Sequence, residues 1–178
     1  MRDRRAFAID KRSAPGPGSP RDVSASVAQE AGVKVKRPRR RYNPKRAISE
    51  GLAEVDRQRL REKVEYGGNP EHKRNPGDFD LNPPASPRPD KTLCDEVEIF
   101  SRDSALELLR RGIDRGLVSQ VAAGGWPQNI WSVTENGHPM EAQLENRDKG
   151  TYHGYPMPEG DAFRDVVLDR WHREDDDR

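Results

Sequence analysis

The sequence predicts an α+β fold: helices packed on a small antiparallel sheet, preceded by a disordered basic arm. Three observations point to it. The first is a division of charge. Through Ile48 the chain has 14 Lys and Arg against 4 Asp and Glu, and the remainder has 18 against 27, so a near-neutral total conceals a basic part and an acidic part. The second is a strand–Asn-Gly–strand pattern at 129–145. The third is a set of helical apolar repeats on either side of a proline-rich stretch.

Only 31 % of the chain is hydrophobic and 35 % is charged, against about 45–50 % and about 25 % in ordinary globular chains. Residues 1–47 mix Ser, Pro, Gly, Ala and Arg with few large apolar side chains. Ordering each residue costs roughly 1–2 kcal/mol of backbone entropy, and little burial offsets it here, so 1–47 reads as disordered. Within it Lys34, Lys36, Arg37, Arg39, Arg40, Arg41, Lys45 and Arg46 form a dense cationic run. Such a run attracts a phosphate backbone, and it equally suits a solvated tail.

The single domain is expected over 48–178. Ile48, Leu52, Val55, Leu60 and Val64 recur at near-helical spacing, with Ser49 as N-cap and Tyr66-Gly67-Gly68 as the stop. Residues 69–92 hold six prolines, which argue against helix and central strand alike. A loop this long inside a domain is often functional. Ser101 opens a second helix with Leu106, Leu109 and Ile113 on its apolar face, and Leu117–Val121 reads as a short strand.

Gly124-Gly125 marks a turn. Asn129–Thr134 and Pro139–Glu145 form a hairpin about Asn136-Gly137, where a type I′ turn takes positive φ twice. Met140, Ala142 and Leu144 lie on one face of the return strand, and Glu141, Gln143 and Glu145 on a polar one. Residues 146–158 read as a loop. Asp161 caps a last helix with Phe163, Val166, Val167 and Trp171 on one side. Leu52, Val55, Leu106, Leu109, Ile113, Ile130, Val133, Leu144, Val166 and Val167 are the expected core, with Trp131 and Trp171 supplying much of its area.

No apolar run is long enough to span a membrane, and the N-terminus lacks the apolar segment of a secretory signal. A single cysteine, Cys94, excludes an intramolecular disulfide and a cysteine zinc cage. It reads as a small buried hydrophobe. Glycine-rich nucleotide cradles and the nucleophile elbow are missing.

Of four histidines, His138 sits in the hairpin turn and His172 near the C-terminus, both suited to the surface. His72 and His153 lie in loops with unusual neighbours. Metal-free RNA cleavage needs a base for the 2′-hydroxyl, an acid for the leaving 5′-oxygen, and donors for the charged phosphorane. His72 and His153 suit the base and acid, with Glu141 a second candidate base and Tyr155 a donor. Lys73 and Arg74 suit a phosphate, and Tyr152 and Trp131 suit stacking on a base. The same two loops also suit packing on one another as a core edge. Neither metal nor cofactor is expected.

Asn69-Pro70-x-His72-Lys73, the run Ile130-Trp-Ser-Val-Thr-Glu-Asn-Gly137 and Gly150-Thr-Tyr152-His153-Gly154 resemble the C-terminal toxin modules of bacterial polymorphic toxin systems. Within these modules they look most like the small metal-independent ribonucleases of the barnase, colicin and RelE type. The resemblance implies helices followed by an antiparallel meander, a toxin acting on RNA, and an immunity or antitoxin protein as partner; the expected site of action is the cytoplasm, with export by a dedicated secretion system left open. The chain departs from it in showing fewer legible strands, an extra C-terminal helix and an acidic domain. The alternative is a non-catalytic, nucleic-acid-associated adaptor, an antitoxin, immunity or phage-defence accessory protein, that binds a protein partner.

Overall fold

The computed structural model describes residues 46–176. The expected arm lies outside these residues except for its last two members, Arg46 and Ala47. Both belong to the fold. The Ser49 N–H donates to the Val118 carbonyl at 2.8 Å and the Gln120 N–H to the Ala47 carbonyl at 2.9 Å. A backbone committed to this cross-chain pairing cannot be helical, so the first helix, α1, covers Glu54–Lys63 rather than starting at Ser49. Ser49 makes no cap; its hydroxyl donates to the Gly51 carbonyl. The later start also turns Val55 outward, to 74 % exposure, while Leu60 and Val64 are buried.

The expected helix stop at Tyr66 is instead a two-residue strand, β1 (Glu65–Tyr66). The proline-rich loop follows, and its prolines open two 3-10 turns, Pro70–His72 and Pro76–Phe79. Proline suits such a first position because its missing N–H has no partner there anyway. A third 3-10 turn covers Cys94–Val97. Helix α2 (Arg102–Asp114) starts as expected, with the Ser101 hydroxyl accepting from the Ser104 N–H. Leu108 joins Leu109 and Ile113 on its buried face, and Leu106 is only partly buried.

Ala122–Ala123 (β2) and Trp126–Pro127 (β3) pair across the glycine turn. The hairpin is β4 (Asn129–Val133) with β5 (Pro139–Asn146). Its turn differs from the expected one. The Gly137 N–H donates to the Thr134 carbonyl, and only Gly137 has positive φ, at 80°. This is a type I turn followed by a left-handed glycine, the usual three-residue solution. The stretch read as a loop after it forms a further strand, β6 (Thr151–Pro156). Its Gly and Pro disguise it in the sequence, but its burial alternates strictly.

The main sheet runs β1-β6-β5-β4, with β1 parallel to β6 and the other pairs antiparallel. Backbone bonds from Ser119 to Asn129 and from Trp131 to Leu117 add the 117–119 segment beyond β4. Helix α3 (Phe163–Asp176) closes the fold, its first turn capped by Asp161.

Both sheet faces are covered. Ile130, Met140, Ala142 and Tyr152 pack against α1, α2 and the 3-10 turns. Trp131 and Val133 pack with Leu117, Met157, Phe163, Val167 and Trp171 on the α3 side. A face expected to be polar and solvated is therefore partly interior, and Glu141 is only 2 % exposed.

Close approach of α2 to β4 rests on Gly112, where an added Cβ would come within 2.2 Å of the Trp131 carbonyl oxygen. Alanine normally improves a helix by up to about 1 kcal/mol over glycine. Here Gly112→Ala is expected to destabilise by at least about 2 kcal/mol, read as a lower urea midpoint with an unchanged m-value.

Candidate functional site

The register of β5 and β6 sets Glu141 opposite Tyr155 and Gln143 opposite His153. Because strand side chains alternate, all four lie on one face, the face shared with Trp131 and α3. Where α3 covers it the face is core. Towards β6 it opens, leaving Gln143, His153 and Tyr155 half-buried and Glu145 exposed.

Glu141 anchors the closed part. Its Oε1 accepts from Arg46 Nε at 3.0 Å and Asn129 Nδ2 at 2.9 Å. Its Oε2 accepts from Arg46 Nη2 at 2.8 Å and the Tyr155 hydroxyl at 2.9 Å. Arg46 Nη1 continues to Asp161 Oδ2 at 2.8 Å, and the guanidinium lies 4.9 Å from the Phe163 ring centre. Burial pushes the Glu141 carboxyl up, opposed by Arg46 and the Tyr155 hydrogen bond. Burial also works against the Arg46 charge, but Glu141 and Asp161 together hold it above its usual range. With four donors on its two oxygens, Glu141 has no free lone pair for a substrate proton, and it is a poor base. Its visible work is to fix Tyr155, whose hydroxyl also accepts from Gln143 Nε2 at 2.7 Å.

His72 meets this network through Tyr155. The two rings stack at 4.8 Å and 19°. The partner of His72 Nδ1 is the Thr92 carbonyl, at 2.7 Å. A carbonyl only accepts, so the neutral ring carries its proton on Nδ1 and keeps a lone pair on Nε2. Burial pushes the imidazole down to about 4, helped by the charges of Lys91, His153 and Lys73. His153 lies two residues before Tyr155 on the same strand face. Burial lowers it as well, with Lys91 and Lys73 adding and Glu145 opposing; its Nδ1 is 3.9 Å from Glu145 Oε2.

The structure thus brings His72, His153 and Tyr155 together beside Glu141. It takes other expected contacts away. Lys73 turns to the opposite core, 5 % exposed, with Nζ 2.7 Å from Cys94 Sγ and 3.2 Å from the Tyr66 hydroxyl. It cannot meet a phosphate at the surface. Tyr152 and Trp131 are fully buried, and the Tyr152 hydroxyl donates to the Pro127 carbonyl at 2.6 Å, so neither offers a face to a base. Arg74 is exposed and pairs with Glu96 at 3.6 Å. Arg46, expected in the arm, is an interior counter-ion. Lys34, Lys36, Arg37, Arg39, Arg40, Arg41 and Lys45 lie outside the described residues. His138 and His172 are exposed.

Sequence reasoning missed Lys91, Thr92, Gln143 and Glu145. The strand partners Gln143 and Glu145 follow once β6 is recognised, from its alternation; Lys91 and Thr92 sit in a loop without periodicity and leave no such signal.

Fold and site together define an α+β domain with two neutral imidazoles on the open edge of a sheet face. No family model, curated protein or solved structure matches the chain. Among the described residues no helix is long and apolar enough to cross a membrane, and no group of three or more His, Cys, Asp or Glu side chains is gathered for a metal.

Two outcomes follow from these charges. Arg46→Met leaves two carboxylates without their cation and is expected to cost about 3–5 kcal/mol in denaturant unfolding, whereas Arg74→Ala, at an exposed pair, should fall within about 1 kcal/mol of wild type. His72 has a folded pKa of about 4 against the usual 6.5, so below 6.5 the unfolded chain takes the proton first. Its contribution is full above pH 6.5 and is lost as pH falls towards 4, by about 3 kcal/mol. Urea midpoints measured from pH 7 to pH 4 should show this slope in the wild type and a shallower one in His72→Phe.

Proposed function

We propose that the chain is a metal-independent, endoribonuclease-like toxin or effector acting on RNA in the cytoplasm, with an immunity or antitoxin protein as its partner. The observation that carries this is the convergence of His72 and His153 on one sheet edge beside Lys91. The carbonyl of Thr92 fixes the His72 tautomer, so Nε2 is ready to take the proton of a 2′-hydroxyl. The freed oxygen attacks the adjacent phosphorus, and the bond to the 5′-oxygen breaks. The fraction of His153 that carries a proton, favoured by Glu145 against burial, gives that oxygen its proton. Lys91, whose charge acts on both imidazoles, is the cation for the phosphorane charge. Tyr155 and Glu141 are positioning residues: Glu141 holds Tyr155, and Tyr155 holds the His72 ring by stacking.

Both imidazoles are depressed. The base is competent above about 4 and the acid only below its own lowered value, itself under 6.5. Cleavage by the full chain should therefore follow a bell lying on the acid side of neutrality. His72→Ala and His153→Ala should each lose roughly 10²–10⁴-fold of the rate while keeping the fold by circular dichroism. Expression of the wild type should fragment cellular RNA. Intact RNA alongside a folded protein would overturn the proposal.

One observation favours the adaptor reading. His72 is only 5 % exposed, and Lys73, Tyr152 and Trp131 are withdrawn from the surface. On that reading the chain binds RNA without cutting it, and binding falls steeply with salt and vanishes when residues 1–45 are removed.

A further inference from the structure

The core towards α1 and α2 holds a pair of groups that the imidazole site does not use. Lys73 brings its ammonium under the sheet between two aromatic rings, 4.0 Å from the centre of Phe79 and 5.6 Å from that of Tyr66. A lysine is seldom fully buried unless a carboxylate accompanies it. Among the described residues Lys73 has none; its polar partners are the Tyr66 hydroxyl and Cys94 Sγ. The nitrogen–sulfur distance is 2.7 Å. That is an ordinary length for an N–H···O bond, and sulfur is the larger atom, so nitrogen and sulfur are packed closer than a hydrogen bond alone explains. Cys94 is itself 1 % exposed, and the burial that raises its thiol keeps it protonated.

Beside the sulfur is a cavity of about 20 Å³, bordered by Tyr66, Cys94, Ile99, Leu108, Met140 and Ala142. It has room for one molecule of about the size of water, and its lining is mostly apolar, which suits dioxygen.

We propose that Lys73 and Cys94 form a reversible covalent cross-link in which one oxygen atom bridges Nζ and Sγ. The step balances with dioxygen as oxidant. One N–H bond of the neutral amine, the S–H bond and the O–O bond break. One oxygen atom bonds to both nitrogen and sulfur, and the other leaves as water with the two hydrogens. Nitrogen and sulfur together give up four electrons, which reduce the dioxygen. An ammonium entering the reaction first releases one proton to solvent. The link differs from a disulfide in needing only one cysteine, which is all the chain has.

Its place in the fold gives it a role. The cross-link would close the irregular stretch from 73 to 94 into a covalent ring. One end of that ring adjoins His72, and Thr92, which holds His72 Nδ1, lies inside the other. Oxidation would thus clamp the loop beneath the imidazole site, and reduction would release it. The proposal is independent of what that site does.

The test uses the purified full chain, split between air-equilibrated buffer and buffer with dithiothreitol. In the oxidised sample, intact mass should rise by one oxygen less two hydrogens. Proteolysis should then yield a single linked species joining the Lys73 and Cys94 peptides. Dithiothreitol should return both peptides to their native masses, and the oxidised chain should melt at a higher temperature than the reduced one, as for other loop-closing links. Cys94→Ser and Lys73→Arg should abolish the mass change. Separate, unmodified peptides after prolonged exposure to air would overturn the proposal. So would oxygen added to Cys94 alone, or a linked species that persists in Lys73→Arg.

Discussion

A carboxylate under a packed sheet face has to be matched, and Glu141 is the point from which much of this molecule is organised. Its oxygens take hydrogen bonds from Arg46 ahead of the first helix, Asn129 on β4 and Tyr155 on β6. Arg46 carries the connection on to Asp161 at the start of α3. Such a cluster adds little stability relative to an apolar core, but it strongly penalises any arrangement that leaves one member unmatched. It therefore selects one packing of the segment ahead of α1, the sheet and the start of α3. The stacked His72 inherits its position from Tyr155, which the cluster holds.

The two faces of the sheet divide the work. The face towards α1 and α2 is mostly apolar, with Lys73 and Ser132 as buried polar members, and Gly112 allows the helix backbone to lie directly on β4. The face towards α3 is apolar near Trp131 and becomes polar towards β6. The candidate edge arises where the cover of α3 stops: α3 packs on β4, while towards β6 His72 stacks on Tyr155.

Much of the fold is legible in the residues because short-range chemistry decides it. Ser101 caps α2, Gly137 turns the hairpin, and Asp161 starts α3. The misreadings share a cause in long-range pairing. Ile48 carries a helical apolar rhythm and Tyr66 reads as part of a helix stop, yet both enter backbone pairing with residues far along the chain. Gly154 and Pro156 hide β6, although burial along it alternates as in a strand. At the site, His72, His153 and Tyr155 were legible as reactive residue types in odd contexts. That Lys73, adjacent to His72, turns to the other core was not: backbone at the exit of a 3-10 turn, rather than composition, decides which way consecutive side chains point.

The Arg46–Glu141 contact joins residues 95 positions apart, and the Arg46–Asp161 contact joins residues 115 apart. During synthesis Arg46 emerges long before either carboxylate exists, and β1 likewise waits for β6. The nascent chain can form α1 and α2 early but has no completed sheet on which to lay them. Folding of this domain is thus postponed until the chain through Asp161 has left the ribosome, and closing such large loops makes it slow relative to a helical domain of similar size. For a chain built this way, the interval between translation and folding is when a chaperone would most readily intercept it.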